Sequence, residues 1–139
     1  MKKLIIALFV MIALAATGQA QAQVQPQSQT AKPVLISPKA ARELLASGKE
    51  VLLLDVRTLE EFVAGRIAGS VLLPYDQITA ASAAALIGPN KERTVIVYCR
   101  SGRRSEIAAA TLASLGYRKV LDLGGIGSWP YGTIKGVPK

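Results

Sequence analysis

The chain has 139 residues, of which 50% are hydrophobic, and its 17 lysines and arginines against 9 acidic residues give a formal net charge of +8. This length suits one domain with one core, and the lack of any histidine excludes acid–base catalysis by imidazole. A single cysteine excludes an internal disulfide framework and, with no histidine present, argues against a metal site; no cofactor is expected. The basic charges are dispersed except in one arginine cluster, so we expect no nucleic-acid partner.

Residues 1–22 are predicted to form a secretory signal peptide. Two lysines follow the initial methionine, residues 4–16 are apolar, and Ala20-Gln21-Ala22 is a small-residue cleavage pattern. The alternative is a membrane anchor, but 13 apolar residues fall short of the roughly 20 that a spanning helix needs. We therefore expect a periplasmic or secreted protein without stable membrane insertion after cleavage. The polar, Gln-rich residues 23–33 are predicted to form a disordered linker.

A helix and a strand are predicted at the start of the following domain, which we place at residues 34–130. Ser37 is a favourable N-cap and Pro38 a favourable first helical residue. Residues 51–56 form an apolar run around Asp55, as is typical of an inner parallel strand. Asp55 and Arg57 thus lie at the carboxyl end of a strand. They could form a wall of a site there or a polar pair that ties the strand end to neighbouring loops.

Three shorter elements are predicted next. Thr58 and Glu61 have the spacing of a capping box, which begins a short helix ending at Gly65. Residues 71–74 are predicted to form a short strand that ends at a proline. The alanine-rich residues 78–87 are predicted to form a helix that ends at the following Gly-Pro pair.

The centre of the chain is predicted to be a strand–helix–strand unit. Residues 94–98 are β-branched and aromatic and predict a buried strand, with Cys99 at its carboxyl end. Ser105 is the predicted N-cap of a helix that extends to residue 115, and residues 119–123 predict the next strand. Ligands of α/β sheets usually bind at the carboxyl ends of the strands.

The turn that follows Cys99 is expected to activate its thiol. A helix N-terminus and nearby cations can lower a cysteine pKa from about 8.5 to roughly 3.5–7.5. Arg100, Arg103 and Arg104 all lie within five residues of Cys99, and Gly102 lets the backbone approach closely, with its N–H groups free to bind an anion. We expect a thiolate that meets a small anionic substrate. The alternative is a buried, inert cysteine.

Three segments resemble the rhodanese domain, in the order and spacing of that family. Residues 99–105, Cys-Arg-Ser-Gly-Arg-Arg-Ser, resemble its active-site loop. Residues 54–69 resemble its first signature segment, and residues 124–129 its closing segment. The resemblance spans about residues 36–129. It implies an α/β, three-layer rhodanese-like fold, in which a central, mostly parallel sheet has helices on both faces.

The resemblance also implies site residues. Cys99 would be the catalytic nucleophile, and Asp55 and Arg57 would play mainly the structural, supporting role. The substrate-binding residues would come from the loop, namely Arg100, Ser101, Gly102, Arg103, Arg104 and Ser105. Among these, Arg100 and Arg103 would orient the donor, while Arg104 could brace the loop instead.

The sequence departs from the family at two positions. Arg66 stands where the family usually has histidine, and Ala68 where it usually has proline, which leaves the conformation of this loop open. Sulfur transfer to a thiolate needs no imidazole base, so the implied activity is unaffected. Residues 131–139 contain glycines and a proline and are predicted to be a loose tail.

The predicted reaction is thiosulfate sulfurtransferase chemistry. The Cys99 thiolate would take sulfur from a small anionic donor such as thiosulfate, and cyanide or a thiol would remove it from the persulfide. One alternative is a persulfide carrier or rhodanese module that serves a protein partner without turnover. A second, less favoured alternative is a phosphatase, whose loop usually has arginine six residues after the cysteine, where this chain has Ser105. We expect a monomer.

Overall fold

The computed structural model describes residues 32–138, so the predicted signal peptide and most of the predicted linker lie outside the described residues. The strands are β1 (Val34–Leu35), β2 (Val51–Asp55), β3 (Val71–Leu72), β4 (Thr94–Cys99) and β5 (Lys119–Gly125). The α-helices are α1 (Pro38–Ala46), α2 (Leu59–Ala64), α3 (Ala80–Leu86) and α4 (Arg103–Ser114), and short 3₁₀ turns cover Tyr75–Gln77 and Ile126–Ser128. β1 was not predicted from the sequence.

The five strands form one sheet with the order β1-β5-β4-β2-β3, and all four neighbouring pairs are parallel. β2 and β4 alternate their side chains between two apolar clusters, because successive strand residues point to opposite faces. One cluster joins Leu52, Leu54, Val95, Val97 and Cys99 to α3 and α4, through Ala83, Ala108, Ala109 and Leu112. The other joins Leu53, Ile96, Tyr98 and Leu123 to Ala41 of α1. The predicted three-layer α/β fold is confirmed.

Strand register brings the chemistry-bearing residues to one edge of the sheet. Asp55 at the end of β2 is paired with Tyr98 of β4, and Cys99 is paired with Gly125 of β5. A register irregularity lies between Val97 and Tyr98, just before the cysteine. The carboxyl ends of the three central strands therefore meet around Cys99.

Local capping rules explain three of the four helix beginnings. Ser37 accepts a hydrogen bond from the Ala40 N–H at 3.2 Å, and Thr58 forms the predicted reciprocal capping box with Glu61. A similar reciprocal pair at Thr79 begins α3. These hydrogen bonds satisfy N–H groups that have no partner within the helix.

The prediction of Ser105 as the N-cap of α4 was wrong. The helix begins at Arg103, with Gly102 as N-cap in the left-handed region at φ 103°. Ser105 lies fully buried in the first turn, where its hydroxyl donates to the Gly102 carbonyl oxygen at 2.9 Å. A cationic residue at the start of a helix opposes the helix dipole, so the sequence favoured a later beginning.

The tail that we predicted to be loose is held by backbone hydrogen bonds over part of its length. Ile134 and Arg66 exchange two of them, each 2.9 Å long, and the Gly136 N–H donates to the Val63 carbonyl at 2.9 Å. Within residues 32–138, no helix has the length and apolarity required to cross a membrane.

Candidate active site

Cys99 lies at the carboxyl end of β4 and its sulfur faces the turn that leads into α4. The Gly102 backbone N–H donates to the Cys99 Sγ at 3.0 Å, and the Sγ lies 3.6 Å from the Ser105 hydroxyl oxygen. Cys99 has no exposed surface (0%) and is packed in the apolar cluster under α4. The sulfur is thus held by the turn, while the residue as a whole is closed off from solvent.

The surroundings of Cys99 favour its ionised form. Burial alone raises the pKa of the Cys99 thiol, because it removes water from the charged form. Hydrogen bonds from the Ser105 side chain and from the backbone N–H groups of Ser105, Gly102 and Ser101 outweigh burial, so the pKa lies below its ordinary value. The turn therefore stabilises negative charge on sulfur, and its hydrogen bonds, rather than the nearby arginines that the sequence analysis also invoked, are the main causes that lower the pKa.

The Ser105 hydroxyl must change its hydrogen-bond partner in order to donate to an ionised Cys99. The neutral thiol can donate to the Ser105 oxygen while that hydroxyl donates to the Gly102 carbonyl. A hydroxyl has one proton, so it can donate to the thiolate only by leaving the carbonyl. Ser105 therefore acts on the sulfur through its side chain as well as through its backbone.

Arg104 is occupied by Glu61. Its two terminal nitrogens each donate to one Glu61 carboxylate oxygen at 2.8 Å, a bidentate ion pair between the beginnings of α4 and α2. The hydrogen bond from Arg104 lowers the pKa of Glu61 to about 2, and the same bond raises the pKa of Arg104. Arg104 thus braces the loop. Because its guanidinium is engaged, it is not presented to a phosphoryl group.

The remaining loop residues are divided between two cavities. Arg100 lines a cavity of about 420 Å³ together with Arg57, Glu61, Ala64, Gly65, Ile126 and Thr133. Ser101, Gly102 and Arg103 line a second cavity of about 540 Å³, whose other walls come from Glu106 of α4 and from residues in or near β1 and β5. Cys99 is a lining residue of neither cavity. The structure therefore does not bring the predicted substrate-binding residues to one common surface.

Asp55 and Arg57 form a buried polar network beneath the site. The Asp55 carboxylate accepts from the Arg57 backbone and guanidinium and, at 2.6 Å, from the Tyr98 hydroxyl. Arg57 also donates to the Gly65 carbonyl, and the Ile67 N–H donates to the Tyr98 hydroxyl oxygen. This arrangement favours the tying role expected for the pair, although Arg57 also lines the first cavity.

Tyr98 and Arg57 of this network each keep one protonation state. Burial and the hydrogen bond to Asp55 raise the pKa of Tyr98 to about 12, so its hydroxyl stays protonated. Burial lowers the pKa of Arg57, but hydrogen bonding and charge attraction to Asp55 outweigh this effect and raise it overall. Both groups keep their protons at any ordinary pH and act as permanent donors. Within residues 32–138, no three acidic, cysteine or histidine side chains group as metal ligands.

The family model for the rhodanese-like domain matches residues 37–130 of this chain. The chain belongs to the rhodanese-like domain family. A sulfurtransferase of Allochromatium vinosum is 39% identical over 95 residues, which cover 68% of this chain and 85% of the relative. The thiosulfate sulfurtransferase PspE of Escherichia coli is 32% identical over 83 residues, 60% of this chain and 78% of the relative. The structure of the human single domain sulfurtransferase TSTD1 matches with a TM-score of 0.59 at 31% identity, covering 68% of this chain and 93% of that one.

Two important groups of this rhodanese-like domain were not singled out as site residues from the sequence. Glu61 was assigned only to a capping box, although the same carboxylate also binds Arg104, 43 positions away. Tyr98 was assigned only to the strand, although its hydroxyl joins Asp55 and Ser70. A buried tyrosine needs a polar partner, and the buried aspartate of the neighbouring strand was the signal that could have identified it.

Proposed function

We propose that this protein is an exported sulfurtransferase that moves sulfane sulfur from a donor such as thiosulfate, through a Cys99 persulfide, to cyanide or a thiol. The observation that carries the proposal is the Cys99 sulfur at the N-terminus of α4, where the Gly102 N–H donates to it at 3.0 Å and its pKa is lowered. Family membership and the names of the similar sulfurtransferases support the reaction class.

The donor step is a displacement at sulfur. The Cys99 thiolate forms a bond to the outer sulfur of thiosulfate, the S–S bond of thiosulfate breaks, and its electron pair leaves with sulfite. The product is an anionic Cys99 persulfide. Turn N–H groups that stabilise the thiolate also suit this anion, since they are fixed in place before the charge arrives.

The acceptor step returns the enzyme to its starting state. Cyanide or a thiolate forms a bond to the outer persulfide sulfur, the bond to Cys99 breaks, and the electron pair remains on the Cys99 sulfur. Neither step requires a proton to be removed by histidine. Exposed Arg100 and Arg103 beside the turn would attract the anionic donor.

Access to Cys99 requires movement. Because Cys99 has no exposed surface, a donor can reach its sulfur only when groups that cover it shift.

The first experiment is intact-protein mass spectrometry after incubation with thiosulfate. We expect the mass to rise by one sulfur atom and to return after cyanide is added, with thiocyanate released in equal amount. Cys99→Ser, checked for folding by circular dichroism, should gain no mass. An unchanged mass of the folded wild-type protein would refute the covalent mechanism.

Export is proposed from the sequence of residues 1–22. Expression of the full chain in a bacterium, followed by fractionation and mass measurement, tests it. We expect a periplasmic or secreted protein that begins after Ala22. A full-length protein retained in the cytoplasm would refute export without affecting the sulfur-transfer proposal.

The covered state of Cys99 favours one second candidate, a persulfide carrier that releases sulfur only to a protein partner. Steady-state kinetics with thiosulfate and cyanide distinguish the two. Repeated turnover supports the enzyme, whereas a stable persulfide with negligible turnover supports the carrier.

A further inference from the structure

The tail beyond the family match folds back onto the cavity that Arg100 lines. We name residues 131–136 the C-terminal strap; the family model ends at residue 130. Arg66 and Ile134 form an antiparallel bridge, and the Gly136 N–H donates to the Val63 carbonyl at 2.9 Å. The strap is thus fixed at two points, to Val63 within α2 and to Arg66 just after that helix.

Arg66 fixes the strap with its side chain as well. It is only 7% exposed, its guanidinium donates to the Gly136 carbonyl, and it lies 4.6 Å from the centre of the Phe62 ring. A buried cation requires such partners, because losing one leaves its charge uncompensated. Arg66 therefore holds the strap through both its backbone and its side chain.

Thr133 of the strap forms part of the wall of the Arg100 cavity. A Cβ placed on Gly65 would lie 3.6 Å from the Thr133 hydroxyl oxygen, which places the strap against the other wall residues. The cavity volume of about 420 Å³ lies within the range of roughly 300–1,000 Å³ of small-molecule sites. The strap therefore contributes Thr133 to the wall of this cavity.

The charges around the cavity leave one cation available. Arg57 is paired with Asp55, and Glu61 with Arg104. Within residues 32–138, the Arg100 guanidinium makes no ion pair or side-chain hydrogen bond. The Arg100 guanidinium can therefore bind one carboxylate in this cavity. Arg100 is the residue that directly follows Cys99 in the chain.

We propose that the C-terminal strap makes this cavity a site for the sulfur acceptor, a low-molecular-weight thiol that carries a carboxylate. Arg100 binds the carboxylate, and Thr133 is a specificity-determining residue that limits the size of the thiol. The proposal rests on the proposed sulfur transfer and on the movement that exposes Cys99, because Cys99 does not itself line this cavity. The acceptor thiolate forms a bond to the outer persulfide sulfur, and the electron pair of the broken S–S bond returns to Cys99.

The test is single-turnover sulfur transfer from protein loaded with thiosulfate and freed of donor, which isolates the acceptor step. The acceptors are 3-mercaptopropionate, the neutral 2-mercaptoethanol, and cyanide. The variant Thr133→Trp fills the cavity from an exposed strap position, and Lys135→Trp is its control, since exposed Lys135 lies in the same strap but does not line the cavity. For each acceptor, the rate of the variant is divided by the rate of the wild type. This ratio removes the differences in intrinsic nucleophilicity among the three acceptors.

We expect Thr133→Trp to slow transfer to 3-mercaptopropionate by about tenfold or more, the lower end of the discrimination that pocket contacts provide, and transfer to cyanide less than twofold. Lys135→Trp should leave both rates unchanged. Arg100→Met should reduce the preference for 3-mercaptopropionate over 2-mercaptoethanol by about tenfold. Equal slowing of all three acceptors, or no slowing, would overturn the proposal. Failure of sulfur loading in the wild type would instead overturn the proposed function.

Discussion

Replacing Ser105 by alanine is expected to weaken the ionisation of Cys99. The variant loses the side-chain hydrogen bond to sulfur but keeps the backbone N–H groups of the turn. A hydrogen bond to a charged group contributes roughly 1.5–3 kcal/mol, and the Sγ–Oγ separation of 3.6 Å places this bond at the lower end. A loss of about 1.5 kcal/mol corresponds to about tenfold less thiolate at any pH below the pKa.

The assay is the rate of Cys99 alkylation by iodoacetamide as a function of pH. The chain has one cysteine, so the mass of the intact protein reports the modification of that residue alone. The matched control is Ser101→Ala, which removes an exposed hydroxyl from the same turn and leaves its backbone N–H in place. Urea unfolding of both variants establishes that each is folded.

Below its pKa, Ser105→Ala should react about tenfold more slowly than the wild type, and the midpoint of its pH profile should lie at higher pH. The rate at the alkaline plateau, where both proteins are fully ionised, should differ much less. An unchanged midpoint in a folded variant would show that the backbone N–H groups alone lower the pKa, and would refute the role given to the hydroxyl.

Two further predictions concern the braces of the loop. Because Glu61 has a pKa lowered from 4.5 to about 2 in the folded protein, its ion pair with Arg104 should stabilise the fold above about pH 4.5 and be lost as the pH falls towards 2. Urea unfolding at pH 6 and pH 3 should show this loss, roughly 1–2 kcal/mol after allowance for partial exposure, and Glu61→Gln should abolish it; an equal loss in Glu61→Gln would contradict the assignment. In Gly125→Ala the new Cβ would lie 2.6 Å from the Arg100 carbonyl oxygen, so the turn must shift, with a cost of about 1–3 kcal/mol in stability and a loss of sulfur transfer. The control Gly127→Ala meets nothing within 4 Å and should behave as the wild type; equal activity of the two variants would refute the steric argument.

The sequence was informative where structure depends on near neighbours. The capping box of Thr58 and Glu61 needs residues three positions apart, and the structure contains it. The strand ending at Cys99 was predicted because a short apolar run that is rich in β-branched and aromatic residues favours a strand over a buried helix. The resemblance to the rhodanese family then predicted the complete central sheet with helices on both faces, whereas local patterns gave only one strand–helix–strand unit.

The sequence was least informative where distant groups change a local preference. Arginine is unfavourable at a helix N-terminus, yet α4 begins at Arg103 because Gly102 adopts a left-handed conformation and Glu61 binds the next arginine. The course of the tail depends on Arg66, whose guanidinium bonds to a carbonyl 70 positions away. Neither partner could be identified from spacing along the chain.

The two outermost strands of the sheet, β1 and β3, have two residues each. An outer strand of ordinary length would present a row of unpaired peptide groups on which another chain could continue the sheet. In this sheet each edge strand offers only a short row of unpaired peptide groups, and the longer strands β2, β4 and β5 lie inside the sheet. The short outer strands therefore protect the domain from aggregation by strand addition.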